Sequence, residues 1–202
     1  MSAPSLIQPT LRERRNDKRK QEILEAALAI MTEDGYSNAS MDRIAAAALL
    51  TRVGLYRHFK DKAALVTALR AHKLLELSER VKAAVQLESD FEARVTAVIR
   101  ATFSYQTQNE GFFRILFASS FSHELAADTS LKPFLYVVAA VFEDVPLAER
   151  RDLEAIDCAG LLAMLAFGPS VKRAFVPSDA ASTPHAAELV ARVFLHGILR
   201  SS

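Results

Sequence analysis

Apolar residues recur at intervals of three or four along most of the chain, the spacing that places them on one face of an α-helix. The pattern predicts nine helices, and no stretch longer than a few residues alternates between apolar and polar side chains as a β-strand does. The predicted helices cover 17–33, two short segments within 40–62, 61–87, 91–108, 111–121, 131–143, 146–167 and 185–199. The sequence therefore predicts an all-α fold.

Residues 40–62 have the pattern of two short helices joined by a tight turn. Ser40 and Thr51 each precede a helical segment, and their hydroxyl oxygens are suited to accept hydrogen bonds from the first N–H groups of those helices. Residues 49–50 fall in the turn, and the second helix has apolar residues four positions apart that are expected to pack inward. This arrangement is typical of a helix-turn-helix, whose second helix enters the major groove of DNA.

Positive charge is concentrated at the N-terminal end of the chain. Residues 1–62 contain 11 Lys and Arg against eight Asp and Glu, whereas residues 63–202 contain 14 against 16. Five basic residues near the start are candidates for the minor groove or the DNA backbone, with a solvated arm as the alternative: Arg12, Arg14, Arg15, Lys18 and Arg19. Excess positive charge beside a helix-turn-helix suits DNA as the partner.

The same features suggest three parts of the chain. Residues 1–16 contain two prolines and no helical periodicity, so we predict a flexible basic arm there. We assign 17–61 to an N-terminal three-helix DNA-binding domain, and 62–202 to a C-terminal helical domain.

The helix-turn-helix resembles the DNA-binding module of the tetracycline-repressor (TetR) family of bacterial regulators. The family pattern is Ile-Ala, two variable residues, Ala-Gly-Val-Ser, one variable residue, Gly-Thr-Leu-Tyr, one variable residue, His-Phe, two variable residues and Lys. Eight residues match it: Ile44, Ala45, Ala48, Leu55, Tyr56, His58, Phe59 and Lys62. The Leu-Tyr-x-His-Phe-x-x-Lys portion is a specific signal, and the resemblance covers residues 17–70. Beyond them only the helical layout agrees, and the resemblance implies that residues 62–202 form an effector-binding and dimerisation domain.

Two positions depart from the family pattern. Leu49 stands in the turn where the family often has Gly, so either Leu49 adopts a left-handed conformation, at a cost on the order of 1 kcal/mol, or the turn takes another shape. Val53 replaces a second family Gly and is followed by Gly54, which is expected to let the helix backbone approach DNA closely.

The resemblance implies DNA contacts along both helices. The candidate residues are Ser40, Thr51, Arg52, Val53, Gly54, Tyr56, His58 and Lys62. Arg52 and Val53 occupy base-contacting positions, where Arg suits guanine and Val suits a thymine methyl group, although Arg52 as a phosphate clamp is the alternative. Tyr56, His58 and Lys62 are expected to bind phosphates. The alternatives are that Tyr56 or His58 packs under the first helix and that Lys62 is a solvated surface residue.

Aromatic residues are concentrated in the middle of the chain, interleaved with polar ones. Aromatic walls with a few polar groups are typical of a small-molecule cavity, although a packed helical core is the alternative for any one residue. The candidate ligand-binding residues are Phe103, Gln106, Arg114, Phe117 and Tyr136. A largely apolar effector is therefore expected, with Gln106 and Arg114 orienting a polar group.

The last two predicted helices carry apolar and small residues in stripes. The eighth has Leu153, Ile156, Gly160, Leu161, Met164 and Phe167, and the ninth has Ala187, Val190, Ala191, Phe194, Leu195 and Ile198. Two such helices from each of two subunits would form a four-helix bundle, so we predict a homodimer through helices 8 and 9. Burial of both stripes within one subunit is the alternative.

Several classes of chemistry are not supported by the sequence. The single cysteine, Cys158, excludes an internal disulfide, the five histidines lack metal-ligand spacing, and no phosphate loop or hydrolase motif is present. We expect no catalytic residue, metal or cofactor, no membrane segment, and a cytoplasmic location.

The prediction is a transcriptional regulator, in the simplest case a repressor released from a palindromic double-stranded DNA operator by a small ligand. The rivals are a helical ligand-binding or scaffold protein with a degenerate DNA-binding module, and a helical enzyme.

Overall fold

The structure, a computed structural model, describes residues 10–119, 129–145, 153–175 and 184–198. Over these residues the chain forms nine α-helices and one short 3-10 helix, with no strand, which confirms the all-α prediction. The helices are α1 Leu11–Asp34, α2 Met41–Ala47, α3 Arg52–Tyr56, α4 Lys62–Gln86, α5 Phe91–Gln108, α6 Glu110–Ser119, α7 Lys132–Ala139, the 3-10 helix Ala140–Phe142, α8 Ala155–Phe175 and α9 Pro184–Ile198.

The first helix begins earlier than predicted. Thr10 and Glu13 form a capping box, in which the Glu13 N–H donates to Thr10 Oγ1 at 3.2 Å and the Thr10 N–H donates to Glu13 Oε2 at 2.7 Å. The helix therefore starts at Leu11, and the predicted flexible arm over 1–16 is wrong for residues 11–16. Residues 1–9 lie outside the described part of the chain.

The chain divides into two compact units, Met1–Leu69 and Arg70–Ser202, so the division falls within α4 rather than at the predicted residue 61–62 boundary. In the first unit, α1 packs on α2 and α2 on α3. Its buried side chains follow the predicted apolar periodicity: Ile23, Leu24, Ala27, Met31, Ile44, Ala45, Leu55 and Phe59.

The second unit is built around contacts of α5 with α8 and α9, and of α8 with α6 and α7. Its aromatic side chains pack against one another, with ring centroids 5.9 Å apart for Phe113 and Phe167, and 5.5 Å for Phe134 and Phe167. The buried residues of the second unit also include Cys158 on α8. No helix in the described ranges is long and apolar enough to cross a membrane.

Helix α8 differs from its predicted extent. It was expected to break near Gly168 and Pro169, but it continues to Phe175. Pro169 supplies no N–H for the hydrogen bond to the carbonyl four residues earlier, which locally disfavours a helix. Packing of the α8 apolar face on α5, α6 and α7 outweighs that local cost. The predicted start of this helix, 146–152, lies outside the described residues.

Candidate nucleic-acid interface

The turn between α2 and α3 is a Schellman motif with leucine in the position that glycine usually takes. The Leu50 N–H donates to the Ala45 carbonyl at 2.8 Å, and the Leu49 N–H donates to the Ala46 carbonyl at 3.0 Å. Leu49 has a φ of 53°, the only positive φ among the described non-glycine residues. Of the two conformations considered for Leu49, the structure has the left-handed one, which costs a leucine about 1–2 kcal/mol.

A side chain from α1 holds this turn. The guanidinium of Arg19 donates to the carbonyls of Ala48 at 2.9 Å and Leu49 at 3.3 Å, and it pairs with Glu22 at 2.7 Å. These carbonyls end α2 and have no helical partner, so Arg19 fills the role of a C-terminal cap. Arg19 therefore belongs to the folded domain and not to a flexible arm, with three of its five N–H donors used there, and a DNA contact of the remaining donors stays a prediction.

Both short helices have the predicted N-caps. Ser40 Oγ accepts from the Arg43 N–H at 3.2 Å, and Thr51 Oγ1 accepts from the Gly54 N–H at 3.0 Å. A Cβ added at Gly54 would lie 3.2 Å from Thr51 Oγ1 and 3.3 Å from Leu50 Cδ2. Glycine at position 54 therefore avoids a close contact with the turn before α3. This contact explains the glycine without the predicted close approach of the helix backbone to DNA.

Helix α3 presents most of the predicted contact residues to solvent. Arg52, Val53 and Tyr56 are exposed and His58 is partly exposed, while Leu55 between them is buried. The Arg52 guanidinium lies 5.6 Å from the centroid of the Tyr56 ring and forms an exposed ion pair at 3.2 Å with Asp42 of α2. The arrangement combines a cation, an apolar side chain and a phenol on one short helix, which suits base and phosphate contacts.

Lys62 binds backbone carbonyls of the loop before α2, whereas the sequence predicted a phosphate contact. Its ammonium donates to the carbonyls of Tyr36 at 2.9 Å, Ser37 at 3.3 Å and Ala39 at 3.0 Å, and lies 4.7 Å from the centroid of the Tyr36 ring. An ammonium group has three donors, and all three are directed at this loop. The phosphate contact expected of Lys62 is therefore contradicted by this geometry, and so is the alternative of a purely solvated lysine.

The candidate ligand-binding residues that the structure describes lie in different surroundings. Phe103 and Gln106 are buried in the core, where Gln106 Nε2 donates to the Ala166 carbonyl at 2.7 Å. Arg114 is exposed on α6, and Tyr136 is exposed on α7. Phe117 lies on α6, but its side chain is outside the described part of the chain. The amide expected to orient a ligand thus already fixes α5 to α8.

Tyr136 instead borders a groove of about 410 Å³ between α4, α5, α7 and the 3-10 helix. Its lining includes Val85, Val137 and Val141, two cationic residues, Lys82 and Arg94, and one carboxylate, Glu79. Arg94 Nε also donates to the Glu88 carbonyl at 3.1 Å. The volume falls within the range of small-molecule sites, so this groove has space for a ligand.

A polar cluster next to this groove joins α4 to α5. The Tyr105 hydroxyl donates to Glu76 Oε2 at 3.0 Å, and Glu76 also pairs with Lys73 at 3.0 Å and Arg80 at 3.3 Å. Burial opposes ionisation of Glu76, but the bonds and charges of its partners outweigh burial and hold its pKa below the ordinary value. Burial and the Glu76 charge raise the pKa of Tyr105, which therefore stays protonated and donates.

Known proteins match both the sequence and the fold. Residues 23–69 match the family model described as bacterial regulatory proteins, tetR family, a range that contains the whole helix-turn-helix. Residues 23–69 therefore form a TetR-type DNA-binding domain, in agreement with the resemblance found in the sequence.

Curated relatives match about half of the chain. The transcriptional activator FasR of Mycolicibacterium smegmatis is 29% identical over 108 residues, covering 54% of this chain and 49% of FasR. The nucleoid occlusion factor SlmA of Marinomonas sp. is 35% identical over 116 residues, covering 55% of this chain and 56% of SlmA. The matched region spans about half the length of these relatives.

Solved structures share the fold over most of the chain. The fatty acid degradation regulator FadR of Bacillus halodurans superimposes with a TM-score of 0.76 at 17% identity, covering 90% of this chain and 97% of FadR. FadR of Bacillus subtilis, solved in complex with stearoyl-CoA, gives a TM-score of 0.75 at 15% identity, covering 88% and 98%. At such identities the likeness establishes the fold alone.

The apolar stripes of α8 and α9 are divided between the core and the surface of the C-terminal unit. On α9, Ala187, Ala191 and Phe194 are buried, and Phe194 lies 5.8 Å from Phe142, so the predicted interface role of Phe194 is wrong. The Ile198 side chain lies outside the described residues. Large apolar side chains are exposed on another face of each helix: Ile156, Leu161, Met164 and Leu165 on α8, and Leu189 and Val193 on α9.

Proposed function

We propose that this chain is a transcriptional regulator that places α3 in the major groove of double-stranded DNA. The observation that carries the proposal is the capped helix-turn-helix with Arg52, Val53 and Tyr56 exposed on its second helix. Arg52 is proposed to contact a guanine edge and Val53 a thymine methyl group, while Tyr56 and His58 contact phosphates.

The two capping hydroxyls are proposed to act at the DNA backbone. Ser40 and Thr51 each use an acceptor lone pair to cap a helix, which leaves the hydroxyl proton available for donation to a phosphate oxygen. Lys62 is left out of the proposed contacts, because its donors bind the loop before α2.

We propose that the protein acts as a homodimer through the exposed faces of α8 and α9. Four large apolar side chains on α8 and two on α9 are exposed, and a Cβ added at Gly160 or Gly197 would meet nothing within 4 Å. Large apolar side chains beside small residues allow two helix pairs to pack closely as a four-helix bundle. A twofold dimer would present two α3 helices to the two halves of a palindromic operator.

An amphiphilic anion is the proposed effector. Val85, Val137 and Val141 of the groove beside Tyr136 suit an alkyl chain, and Lys82 and Arg94 suit a carboxylate or phosphate head group. The stearoyl-CoA in the Bacillus subtilis FadR structure belongs to that chemical class. Binding of such a ligand is proposed to release the protein from DNA, which requires a coupling of about 1–3 kcal/mol.

Selection of bound duplexes from random DNA tests the DNA-binding proposal. The wild-type chain is expected to enrich a palindromic sequence, with an affinity that falls steeply as salt rises. The Arg52→Ala variant is expected to lose about 1–3 kcal/mol on that sequence and to relax one base position in each half-site. A chain that binds heparin and every duplex alike would instead support the rival, a helical protein with a degenerate DNA-binding module.

A titration with acyl-CoA esters of different chain length tests the effector proposal. Long acyl chains are expected to raise the melting temperature and to weaken operator binding, and Lys82→Ala with Arg94→Ala is expected to reduce both effects. Arg100→Ala, a change at an exposed arginine elsewhere on α5, is the matched control. Equal responses of the double variant and the control would remove the groove as the effector site.

A further inference from the structure

We propose that Leu49 is a specificity-determining residue, which together with Val53 forms an apolar edge that recognises thymine C5-methyl groups in the operator. The inference rests on the proposed DNA-binding function. It goes beyond that function because it assigns recognition of a thymine methyl group to a residue of the turn, in addition to α3. Three observations carry it: the backbone conformation of Leu49, the exposure of both side chains, and their spacing along the chain.

The backbone at Leu49 is left-handed although nothing in the fold needs a side chain there. Glycine would take a φ of 53° without steric cost, and asparagine with little. The two Schellman hydrogen bonds and the Arg19 guanidinium hold this conformation through backbone carbonyl and N–H groups, which any residue would provide. Strained residues of this kind concentrate at functional sites, where the side chain has a use.

The side chains of Leu49 and Val53 are directed at solvent. Leu49 is 88% exposed and Val53 is 65% exposed, so neither contributes to the core of the N-terminal unit. Single exposed apolar residues are common on protein surfaces and need no explanation by themselves. An exposed leucine that also strains the backbone is different, because replacement by glycine would remove the strain without opening a cavity.

The position of the two residues fits the major groove. Leu49 lies two residues before the Thr51 N-cap, and Val53 is the second residue of α3, the end of a recognition helix that contacts bases. Both residues thus lie at the end of α3 that is proposed to contact bases, and each is assigned a base pair of its own. Alkyl groups cannot bind phosphates, and the thymine methyl is the apolar group that the major groove offers.

Replacing thymine by deoxyuridine in the duplex selected by the wild-type chain tests the inference. This change removes one methyl group and leaves every hydrogen-bonding group of the base pair in place. For the wild-type chain, deoxyuridine at one position of each half-site is expected to weaken binding about three- to tenfold, the loss expected for about one buried methyl-sized group. For Leu49→Gly, deoxyuridine at that same position is expected to have no effect.

Three control variants separate contact from conformation. Leu49→Asn keeps a residue that tolerates the left-handed conformation but lacks an alkyl chain, and it should lose the methyl sensitivity as Leu49→Gly does. Leu49→Met keeps an apolar side chain and should retain the sensitivity to the thymine methyl group. Val53→Ala should lose sensitivity at a different base position and keep the position assigned to Leu49.

The outcomes distinguish this inference from the function on which it rests. If the wild-type chain selects no sequence, the proposed DNA-binding function fails, and this inference fails with it. If the wild-type chain selects an operator and Leu49→Gly shows the same deoxyuridine profile at every position, the function stands and the role of Leu49 is overturned. Because Leu49→Gly relieves strain, its melting temperature should not fall, so misfolding would not mimic the expected result.

Discussion

Basic residues of the N-terminal unit differ in role: some bind backbone carbonyls within the unit, and others are exposed and available to DNA. Lys62 matches the TetR pattern, yet its ammonium is bound to three carbonyls of the loop before α2. Arg19 lies in a basic stretch, yet its guanidinium caps α2. Arg52, by contrast, is exposed, and its guanidinium lies beside the Tyr56 ring and forms a solvent-accessible ion pair with Asp42. Sequence spacing identified all three as basic residues near DNA, but only the tertiary contacts separate their roles.

Lys62→Met is expected to destabilise the protein without changing its electrostatic contact with DNA. The variant leaves the carbonyls of Tyr36, Ser37 and Ala39 without their charged donor, which should cost about 2 kcal/mol of unfolding free energy. Urea denaturation measures that loss. The slope of log affinity against log salt should stay the same, whereas a lost phosphate contact would reduce it by about 0.9 per site.

Asp42→Asn is expected to tighten DNA binding. The change removes a negative charge 3.2 Å from the Arg52 guanidinium and keeps the side chain size. Because both groups are exposed, the pair adds little to stability, about 0–1 kcal/mol, while its carboxylate repels phosphates. Affinity for operator and for unrelated duplexes should rise about two- to fivefold at low salt. A fall in operator affinity would show that Asp42 instead orients Arg52 for its base.

At the scale of elements, the sequence predicts those features that depend on residues close together in the chain. The helical periodicity, the Ser40 and Thr51 caps and the turn at 49–50 are all confirmed. The start of α1 depends on the capping box of Thr10 and Glu13, a local signal that apolar periodicity does not contain, so periodicity places the start at residue 17 instead of Leu11. The bond from Gln106 to the Ala166 carbonyl joins positions 60 apart, and no local pattern contains it.

The polar cluster between α4 and α5 is expected to make stability depend on acid. The pKa of Glu76 is lowered in the folded protein, so its contribution is present above the unfolded value of 4.5 and is lost as pH falls through the folded pKa. Glu76→Gln should therefore lose stability at pH 7 and show a weaker loss of stability below about pH 4.5 than the wild type. Thermal melts across pH 2–7 compare the two.

Tyr105→Phe is the companion variant for this cluster. It removes the hydroxyl that donates to Glu76 and to the Lys73 carbonyl, which should cost about 1–2 kcal/mol of unfolding free energy. With its hydroxyl donor gone, Glu76 should titrate closer to its ordinary pKa. An acid dependence identical to that of the wild type would mean that Lys73 and Arg80 alone hold the Glu76 charge.

At the scale of the whole molecule, substitutions on α8 and α9 test whether their exposed faces form a dimer interface while their buried faces form the core. Met164→Glu combined with Val193→Glu should give folded monomers in sedimentation and a loss of operator affinity, because both side chains are exposed. Phe194→Glu should instead unfold the chain, since Phe194 is 2% exposed and packs on Phe142. A wild-type chain that sediments as a monomer at micromolar concentration would rule out the proposed bundle.

The burial of Cys158 has a practical consequence for measuring how an effector acts. A buried thiol reacts slowly with maleimide and methanethiosulfonate reagents, so the chain needs no cysteine removed before site-directed labelling. A cysteine introduced at exposed Lys60, close to α3, would carry one spin label per subunit and therefore give one distance in a homodimer. Electron-paramagnetic-resonance distance distributions, recorded with operator and with acyl-CoA, would then report directly on the separation of the two recognition helices.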